Sequence, residues 1–468
     1  MKVIIIGAGK LGYKLAEEMN DHNIDVTVVD SKAKTIDKVN DFLDVLTFKA
    51  NGVDLDRLKD LDVETYDLLI ATTGSDETNA LICTLGKRLG VTRTIARIRN
   101  PEYSDQMEFI KSTLGIDHII NPDFATAREI TRYLLKRYRF SSSDFAGGAV
   151  QIMEMKVTHG GLIEGKRIMD LDFLDELLII AIKRNGEIII PNGPTEILAE
   201  DGLYLLGRLE NIVELADNFS LDIQTKPIRT AMIMGGGKIG YFLTKKLLEE
   251  NIQVTIIEQN YERCQYLSEE LENALIIHGD GSDINLLEEE NLPEMDAFIG
   301  LTGLDEQNLL MSLTAKQSGV RKTIAKFSRP SYDKLIDKID IDVAFNPIYI
   351  AASEILKFVR GGRIISVNLI LGGQAEVTEV LVDRGLTEEG IKIEDLNLPK
   401  GIIIGAITRD QDLIIPKGQT EIHLGDRIVI FSMRENIPEL DRFLKAIKEG
   451  NLGELPRRHQ GFRKFIGS

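Results

Sequence analysis

Short apolar runs alternate with amphipathic stretches along the first part of the chain. Val3–Ile6 and Leu68–Ala71 are uninterrupted apolar runs, and in the stretches between such runs the apolar residues recur at helical spacing. Uninterrupted aliphatic runs are typical of parallel strands that are buried on both faces, and the longer period is typical of helices. The pattern therefore predicts βαβ units and a parallel sheet.

The same pattern occurs a second time in the C-terminal half of the chain. Repetition with the internal spacing intact indicates a duplicated unit, not one larger domain. The matched segments are Lys2–Tyr13 with Ala231–Tyr241, Ile24–Asp30 with Ile252–Glu258, Asp76–Asn79 with Asp305–Asn308, Arg93–Arg97 with Lys322–Lys326, Asn121-Pro122 with Asn346-Pro347, and Ile188–Gly193 with Leu413–Gly418.

Each copy also has a second part that differs in character from the first. It contains short strand patterns with few helical stretches between them, which predicts a small α+β domain. In the first copy the expected strands lie near Gln151–Val157, Leu178–Lys183, Glu187–Ile190 and Gly202–Gly207.

The expected fold class is α/β, with two Rossmann-like, doubly wound parallel-sheet domains that are each followed by a small α+β domain. Boundaries are expected near the pairs Gly147-Gly148 and Gly361-Gly362, and the polar stretch Asp217–Arg229 is the expected joint between the halves. The predicted segments are 1–140 and 230–358 for the α/β domains, 141–222 and 359–446 for the small domains, 223–229 for a linker and 447–468 for a basic tail.

A glycine-rich turn follows the first strand of each half. Gly7-x-Gly9-x-x-Gly12 separates an apolar run from a helical pattern, and Gly235, Gly237 and Gly240 repeat the arrangement. The first glycine permits the tight turn, the second lets a pyrophosphate approach the backbone, and the third packs helix on strand. The helix N-terminus that follows offers N–H groups to the phosphates. The turns therefore predict dinucleotide or adenine-nucleotide binding in both halves.

An acidic residue ends the second strand of each half. Asp30 and Glu258 are placed to accept hydrogen bonds from both ribose hydroxyls of a nucleotide. A carboxylate there also repels a 2′-phosphate, so NAD is favoured over NADP. Tyr13 and Tyr241 follow the last glycines where a phosphate-binding loop of the Walker type needs Lys-Ser or Lys-Thr, which excludes that class of NTPase.

Charge and composition exclude other classes of protein. A net charge of −18 argues against nucleic acid as a partner, because a duplex binder needs a basic face. Cys83 and Cys264 are the only cysteines, and they give neither a disulfide framework nor a metal-ligand spacing. The chain lacks an apolar run of about 18 residues and leads directly into a strand, so we expect neither a membrane span nor a signal peptide. A soluble, cytoplasmic protein is expected.

Two further features leave alternatives open. Asp76-Glu77 and Asp305-Glu306 resemble acid–base pairs, but we expect Asp to cap a helix and Glu to complement its dipole. The basic, aromatic stretch Pro456–Phe465 is either a solvated tail or a contact for an acidic membrane surface or a partner. The sequence shows no nucleophile or metal pattern, so no catalytic and no metal-binding residues are predicted.

The motifs together resemble the RCK domain, also called KTN, which regulates potassium conductance. The resemblance is carried by Gly7–Gly12, Asp30, Ala71-Thr72-Thr73 before Asp76–Asn79, and Ile95–Pro101. The order of nucleotide domain and small C-terminal domain, present twice, resembles the TrkA-type regulatory subunits of Trk potassium uptake systems. The resemblance covers about residues 1–445.

The resemblance implies roles for particular residues. Thr72 and Thr73 are expected to line the nucleotide, and Arg97 to reach its phosphates. Lys326 replaces that arginine in the second half, and Asn51 stands where the family usually has an aspartate, which Asp280 keeps. The predicted nucleotide-binding residues are Gly7, Ala8, Gly9, Lys10, Leu11, Gly12, Asp30, Asn51, Thr72, Thr73 and Arg97 in the first half, and Gly235, Gly236, Gly237, Lys238, Ile239, Gly240, Glu258, Asp280, Thr302 and Lys326 in the second.

The function implied is that of a cytosolic, nucleotide-sensing regulatory subunit. It would bind NAD(H), with ATP or ADP as a second ligand class, and the two halves could differ in preference. The implied partners are a membrane potassium-translocating subunit of the TrkH or TrkG type, which holds the chain at the cytoplasmic face, and further copies of the chain in a dimer or tetramer that forms a ring of RCK units. Alternatives are an RCK-type regulator of another ion transporter and a tandem NAD-dependent oxidoreductase.

Overall fold

The computed structural model describes residues 1–21, 24–135, 144–145, 150–171, 176–218, 227–336, 338–360, 364–370, 374–382, 390–396, 398, 401–410 and 412–449. The chain forms two compact units. One unit contains residues 1–139 and 224–359, and the other contains residues 140–223 and 360–468. The pairs Gly147-Gly148 and Gly361-Gly362, part of the predicted linker and the stretch Pro456–Phe465 lie outside the described residues.

The first α/β domain is a six-stranded parallel sheet in the order β3-β2-β1-β4-β5-β6. Strand β1 is buried along its apolar residues, and it lies between β2 and β4, where the chain switches direction across the sheet. Its elements are β1 (Lys2–Ile6), α1 (Lys10–Asp21), β2 (Asp25–Asp30), α2 (Ala33–Phe42), β3 (Leu46–Lys49), α3 (Leu55–Asp60), β4 (Leu68–Ala71), α4 (Asp76–Leu89), β5 (Arg93–Arg97), α5 (Met107–Leu114), β6 (His118–Ile120) and α6 (Pro122–Leu135).

The first small domain is an antiparallel sheet in the order β10-β9-β11-β8-β7. Asn185 and Gly186 both have positive φ between β9 and β10, as expected for a two-residue hairpin turn that matches the twist of the strands. The elements are β7 (Asp144–Phe145), β8 (Val150–Lys156), β9 (Leu177–Arg184), β10 (Glu187–Ile189), β11 (Gly202–Gly207) and α7 (Leu209–Asn218).

The second α/β domain repeats the first, with the strand order β14-β13-β12-β15-β16-β17. All of its strand pairs are parallel, as in the first domain. The elements are β12 (Thr230–Met234), α8 (Lys238–Glu249), β13 (Gln253–Glu258), α9 (Tyr261–Glu270), β14 (Leu275–His278), α10 (Ile284–Glu289), β15 (Ala297–Gly300), α11 (Asp305–Gln317), β16 (Lys322–Lys326), α12 (Asp333–Ile336), β17 (Val343–Phe345) and α13 (Pro347–Arg360).

The second small domain has a five-stranded sheet in the order β18-β19-β24-β21-β22 and a two-stranded sheet of β20 and β23. Helix α14 extends past the predicted domain end at residue 446. The elements are β18 (Ile364–Ile370), β19 (Ala375–Leu381), β20 (Ile391–Lys392), β21 (Ile402–Arg409), β22 (Asp412–Ile414), β23 (Glu421–Ile422), β24 (Arg427–Met433) and α14 (Ile437–Glu449). The predicted fold class is confirmed in both halves.

The last helix of each α/β domain packs on the other α/β domain. Helix α6 lies on α8, where the rings of Phe124 and Phe242 meet edge to face at 5.5 Å, and Ile130 is buried in the core of the second domain. In return, Phe358 of α13 stacks on His118 at 4.9 Å, and the ammonium of Lys14 lies over the ring of Tyr349. The two α/β domains thus form one unit through an exchange of helices.

The two small domains also share a core, which is formed by their sheets. Val150, Leu206, Ala406 and Phe431 belong to one buried apolar cluster that draws on both sheets. Each small domain also repeats a bidentate ion pair on a buried aspartate, between Arg184 and Asp201 and between Arg409 and Asp426. These pairs fix the same loop in both copies and account for the repetition of an aspartate there.

Candidate functional site

The three glycines of the first turn have three different surroundings. Gly7 has φ +103°, and a Cβ at Gly7 would lie 2.7 Å from the backbone N of Thr73. A Cβ at Gly12 would lie 1.9 Å from the carbonyl oxygen of Gly7, whereas a Cβ at Gly9 would meet nothing within 4 Å. Two glycines are therefore required by packing, and Gly9 borders open space at the start of α1.

Asp30 is held by the backbone of the turn that it faces. Its Oδ2 accepts a hydrogen bond of 2.8 Å from the N–H of Ala8, and its Oδ1 accepts one of 2.8 Å from the N–H of Lys32. Each carboxylate oxygen has a second lone pair in this arrangement. The geometry therefore fixes the carboxylate at the end of β2 and leaves acceptor capacity for ribose hydroxyls.

The second half reproduces this geometry. Gly235 has φ +108°, a Cβ at Gly240 would lie 2.3 Å from the carbonyl oxygen of Gly235, and a Cβ at Gly237 would meet nothing within 4 Å. Glu258 accepts hydrogen bonds from the N–H of Gly236 at 2.7 Å and of Asn260 at 2.8 Å. The longer glutamate thus serves the same turn in the same way.

One difference between the turns is compensated by its neighbour. Ala8 of the first turn is replaced by Gly236, and a Cβ at Gly236 would lie 2.3 Å from Cδ1 of Leu267. Val39 stands at the position of Leu267 in the first half and is smaller. In the first half the turn therefore has the larger of the two turn residues, Ala8, and the helix has the smaller Val39. In the second half the turn has Gly236 and the helix has the larger Leu267.

The remaining turn residues open the helices. Leu11 and Ile239 are buried beneath the turns, and Lys10 and Lys238 are the first residues of α1 and α8. Buried apolar side chains at the second helical position anchor each helix start against its sheet. The backbone N–H groups of the first helical turn are then fixed above the open space at Gly9 or Gly237.

The threonines at the end of β4 bond within the protein. Thr72 is buried, and its hydroxyl donates to the carbonyl of Gly7 at 2.8 Å. The hydroxyl of Thr73 donates to Oδ1 of Asn79 at 2.8 Å, and Thr302 makes the same bond to Asn308. These hydroxyls stabilise the turns. Contact of Thr72, Thr73 and Thr302 with a nucleotide stays a prediction.

Asn79 is a residue whose role the sequence did not reveal. Its side chain accepts from the N–H of Thr73 and donates to the carbonyl of Arg97 at 2.9 Å, and so ties β4 to β5 at the edge where the cleft lies. Asn308 makes the equivalent bonds, including one of 2.9 Å to the carbonyl of Lys326. The only sign of this role in the sequence was that an asparagine stands at the same position in both halves.

The expectation that Asp76 and Asp305 cap helices is wrong. Ser75 caps α4 by accepting from the N–H of Thr78, and Asp76 is already the first helical residue. Its carboxylate turns to the loop after β5 and accepts from the N–H groups of Arg99 and Asn100. Asp305 does the same with Ser328 and Arg329. The carboxylate is one residue too far into the helix to act as a cap.

Arg97 and Lys326 are half-buried cations at the ends of β5 and β16. Each donates to a carbonyl at the end of the neighbouring strand, Arg97 to Thr73 and Lys326 to Thr302. Burial lowers the pKa of both side chains. The Nε of Arg97 has no hydrogen-bond partner among the described residues. Both cations lie at the carboxyl ends of their strands, which is the side of the sheet where the cleft lies, and their contact with phosphates stays a prediction.

Asn51 and Asp280 follow the third strand of each sheet and are exposed. The Oδ1 of Asn51 accepts weakly from the N–H of Val53 at 3.3 Å. The Oδ1 of Asp280 accepts from the N–H and the hydroxyl of Ser282, which lower the pKa of that carboxyl. The two halves therefore present different charges at the same place.

In the described ranges, no group of three or more His, Cys, Asp or Glu side chains is arranged to hold a metal ion. Within the same part of the chain, no helix has the length and apolar character needed to cross a bilayer.

Known families match the chain in the same duplicated pattern. The TrkA-N domain matches residues 3–122 and 231–347, and the TrkA-C domain matches residues 152–220 and 377–445. Among solved structures, the GsuK RCK domain has a TM-score of 0.56 at 19% identity and covers 95% of each chain. The GsuK channel bound to NAD has a TM-score of 0.55 at 19% identity and covers 95% of this chain and 79% of that chain. These two likenesses show the shared fold alone.

Full-length relatives are closer in sequence. The Trk system potassium uptake protein TrkA homolog 1 of Methanosarcina mazei is 35% identical over 453 residues, which cover 95% of this chain and 100% of that protein. The Trk system potassium uptake protein TrkA of Haemophilus influenzae is 34% identical over 456 residues, which cover 95% and 99%. The chain therefore belongs to the TrkA family of Trk system potassium uptake proteins, with its TrkA-N and TrkA-C domains present twice.

Proposed function

We propose that this chain is a nucleotide-sensing regulatory subunit of a potassium uptake system, with one nucleotide cleft in each half. The observation that carries the proposal is the repeated glycine turn whose own N–H group fixes a carboxylate, at Ala8 with Asp30 and at Gly236 with Glu258. A packed turn, an open second glycine and a fixed acid are the parts that a dinucleotide requires. Family membership supports the regulatory role.

NAD(H) is the proposed ligand, and ATP or ADP forms a second class. Asp30 and Glu258 favour adenosine with free ribose hydroxyls, and the fold is shared with a channel whose structure has NAD bound. The clefts differ at the phosphate side, where Arg97 offers a fork and Lys326 a point charge. The two halves are therefore proposed to differ in affinity and in the nucleotide preferred.

Regulation follows from unequal binding to two conformations. A nucleotide shifts an equilibrium only by the difference in its affinity for the two states. Each α/β domain buries its last helix in the other, so a change in one cleft moves the helix that the second domain holds. The proposed partner is a membrane potassium-translocating subunit of the TrkH or TrkG type. Copies of the chain assemble in a ring at the cytoplasmic face of the membrane, and the role is not catalytic.

The proposal is tested by titrating the purified full chain with NADH, NAD⁺, ATP and ADP in a calorimeter. Gly9→Asp and Gly237→Asp are expected to remove binding at one cleft each, because the new carboxylate enters the open space and repels phosphate. The double variant is expected to bind none of the four ligands. Thr92→Asp is the control. It adds the same charge at an exposed position just before β5, at the end of the sheet that lies away from the glycine turn.

Three outcomes would contradict the proposal. A double variant that still binds all four nucleotides with unchanged affinity would place the ligand elsewhere. Steady oxidation of NADH by the native chain in the presence of a metabolite would favour the tandem oxidoreductase. Binding without any effect on potassium flux by the cognate transporter, with an effect on another transporter, would favour a regulator of that second system.

A further inference from the structure

A guanidinium group lies against the glycine turn of the second half. The Nε of Arg263 donates to the carbonyl of Gly236 at 2.7 Å, and its Nη2 lies 3.4 Å from the carbonyl of Gly237. The guanidinium also lies 4.6 Å from the centre of the Tyr266 ring. Its backbone N–H is fixed by Oδ1 of Asn260, which caps α9. Backbone and side chain of Arg263 are both held in place.

This cation is at the ribose end of the cleft. Gly236 donates its N–H to the carboxylate of Glu258 and accepts from Arg263 through its carbonyl, so the acid and the cation are attached to the same residue. Only two of the five N–H groups of the guanidinium are used on the turn. The fork is therefore placed beside the carboxylate that is expected to bind the ribose hydroxyls.

Among the described residues of the first half, no arginine lies at the equivalent place. Thr35 stands at the position of Arg263, five residues after the acid in each copy, and α2 begins after Lys32 without a side-chain cap. Lys32 immediately precedes α2 and Lys34 lies in its first turn, but both are exposed, and the charge of an exposed lysine is screened by water. Asp30 therefore faces its ligand without a fixed cation beside it.

We infer that Arg263 is a specificity-determining residue that lets the second cleft accept a nucleotide with a phosphate on its adenosine ribose, while the first cleft rejects it. A phosphate beside a lone carboxylate is repelled, whereas a phosphate beside a carboxylate and an arginine fork gains charge-assisted hydrogen bonds that offset the repulsion. An arginine near the end of the second strand is the group that accommodates a 2′-phosphate in dinucleotide-binding domains. The inference rests on the proposed nucleotide binding and refines its ligand class.

The test compares ligands that differ only in the 2′-phosphate: NADPH with NADH, and adenosine 2′,5′-bisphosphate with AMP. Dissociation constants are measured on the full chain, with Gly9→Asp to leave only the second cleft and Gly237→Asp to leave only the first. The ratio of the constant with the 2′-phosphate to the constant without it is expected to be about tenfold lower in the second cleft.

Exchange of the two residues provides the matched control. Arg263→Thr is expected to raise the ratio of the second cleft about tenfold, and Thr35→Arg to lower that of the first several-fold. Arg263→Lys keeps the charge without the fork and is expected to fall between the two. Lys32→Ala is expected to leave the ratio of the first cleft unchanged. Should Arg263→Thr lose its cooperative melting, Arg263→Lys and Thr35→Arg decide the question.

Equal ratios in the two clefts, or a ratio that stays the same in Arg263→Thr and Thr35→Arg, would overturn the inference while NADH or AMP still binds. A native chain that binds neither member of either pair would instead overturn the proposed nucleotide binding. The two failures are therefore distinguishable.

Discussion

The ammonium group of Lys322 donates to the carbonyl oxygen of Tyr133 at 3.1 Å and lies 5.0 Å from the centre of the same tyrosine's ring. It also donates to the carbonyl of Leu134 at 3.1 Å. Lys322 begins β16 of the second α/β domain and is 2% exposed, and Tyr133 is in the last turn of α6, which comes from the first domain. A buried cation thus caps the C-terminus of a helix supplied by the other half.

Lys322→Met is expected to lower the free energy of unfolding by about 2 kcal/mol, because two helix-terminal carbonyls lose a charged donor in a buried place. The measurement is urea denaturation of the full chain. Arg93→Met is the matched control, since Arg93 occupies the same repeat position, is more exposed and lies 3.3 Å from the carbonyl of Phe358. A larger loss in Arg93→Met than in Lys322→Met would contradict the assignment.

Gly12→Ala and Gly240→Ala are expected to destabilise the chain by at least about 2 kcal/mol. An alanine in a helix gains about 1 kcal/mol over glycine, but a Cβ less than 2.5 Å from a turn carbonyl displaces backbone and outweighs that gain. Thermal melting provides the measurement. Gly9→Ala is the comparison, where a Cβ meets no atom and the change is expected to be about 1 kcal/mol or less. Equal losses at positions 9 and 12 would show that sterics are not the cause.

Asp30→Asn is expected to weaken NADH binding to the first cleft about tenfold, since an amide offers one acceptor oxygen and presents N–H groups to the turn and to the ribose. Calorimetry on the Gly237→Asp chain isolates that cleft. Asp30→Glu is expected to retain most of the affinity, because the second half uses glutamate at this position. Unchanged affinity for NADH in Asp30→Asn would show that the carboxylate does not contact the ligand.

Asp296 is expected to contribute stability that disappears in acid. Burial alone would raise the pKa of its carboxyl, but hydrogen bonds from Arg321 and from the N–H groups of Arg229 and Thr230 outweigh burial and hold that pKa below its ordinary value of 3.8. The folded pKa is depressed, so the contribution is complete above the unfolded value and is lost as pH falls through the folded one.

The slope of unfolding free energy against pH between 5 and 2 measures this contribution, and Asp296→Asn is expected to reduce it. Asp67→Asn is the matched control, because Asp67 holds the equivalent place but Thr92 replaces the arginine. A native slope retained in Asp296→Asn, or an equal reduction in Asp67→Asn, would assign the acid sensitivity to other groups.

The turn glycines, both acids and the parallel-sheet class of the α/β domains follow from the sequence, because local spacing and hydrophobic periodicity determine them. The period of α6 predicts a helix with an apolar face and is silent on which sheet covers that face. Whether Ile130 is buried in its own domain or in the other is decided by packing across the repeat. The exchange of α6 and α13 therefore could not be predicted.

Some residues of the candidate site could likewise be predicted from the sequence, and others could not. Gly9 and Asp30 are recognised because few residue types suit their roles. Asn79 and Asp76 act through bonds to loops that are distant in sequence, so their partners were visible only in the structure. The position of Arg263 is occupied by Thr35 in the first half. A comparison of the two repeats directs attention to the residues that they share, so it did not single out Arg263.

The exchange of helices has a consequence for any shortened gene product. A polypeptide that ended after α6 would carry a helix whose apolar side, with Ile130 and Leu134, has no sheet of its own to cover it. Such a half-chain would have to pair with a twin to hide that side, so the tandem chain is equivalent to a homodimer joined by a peptide connection. Because both halves belong to one chain, they need not be identical, and Arg263 in place of Thr35 is one difference between them.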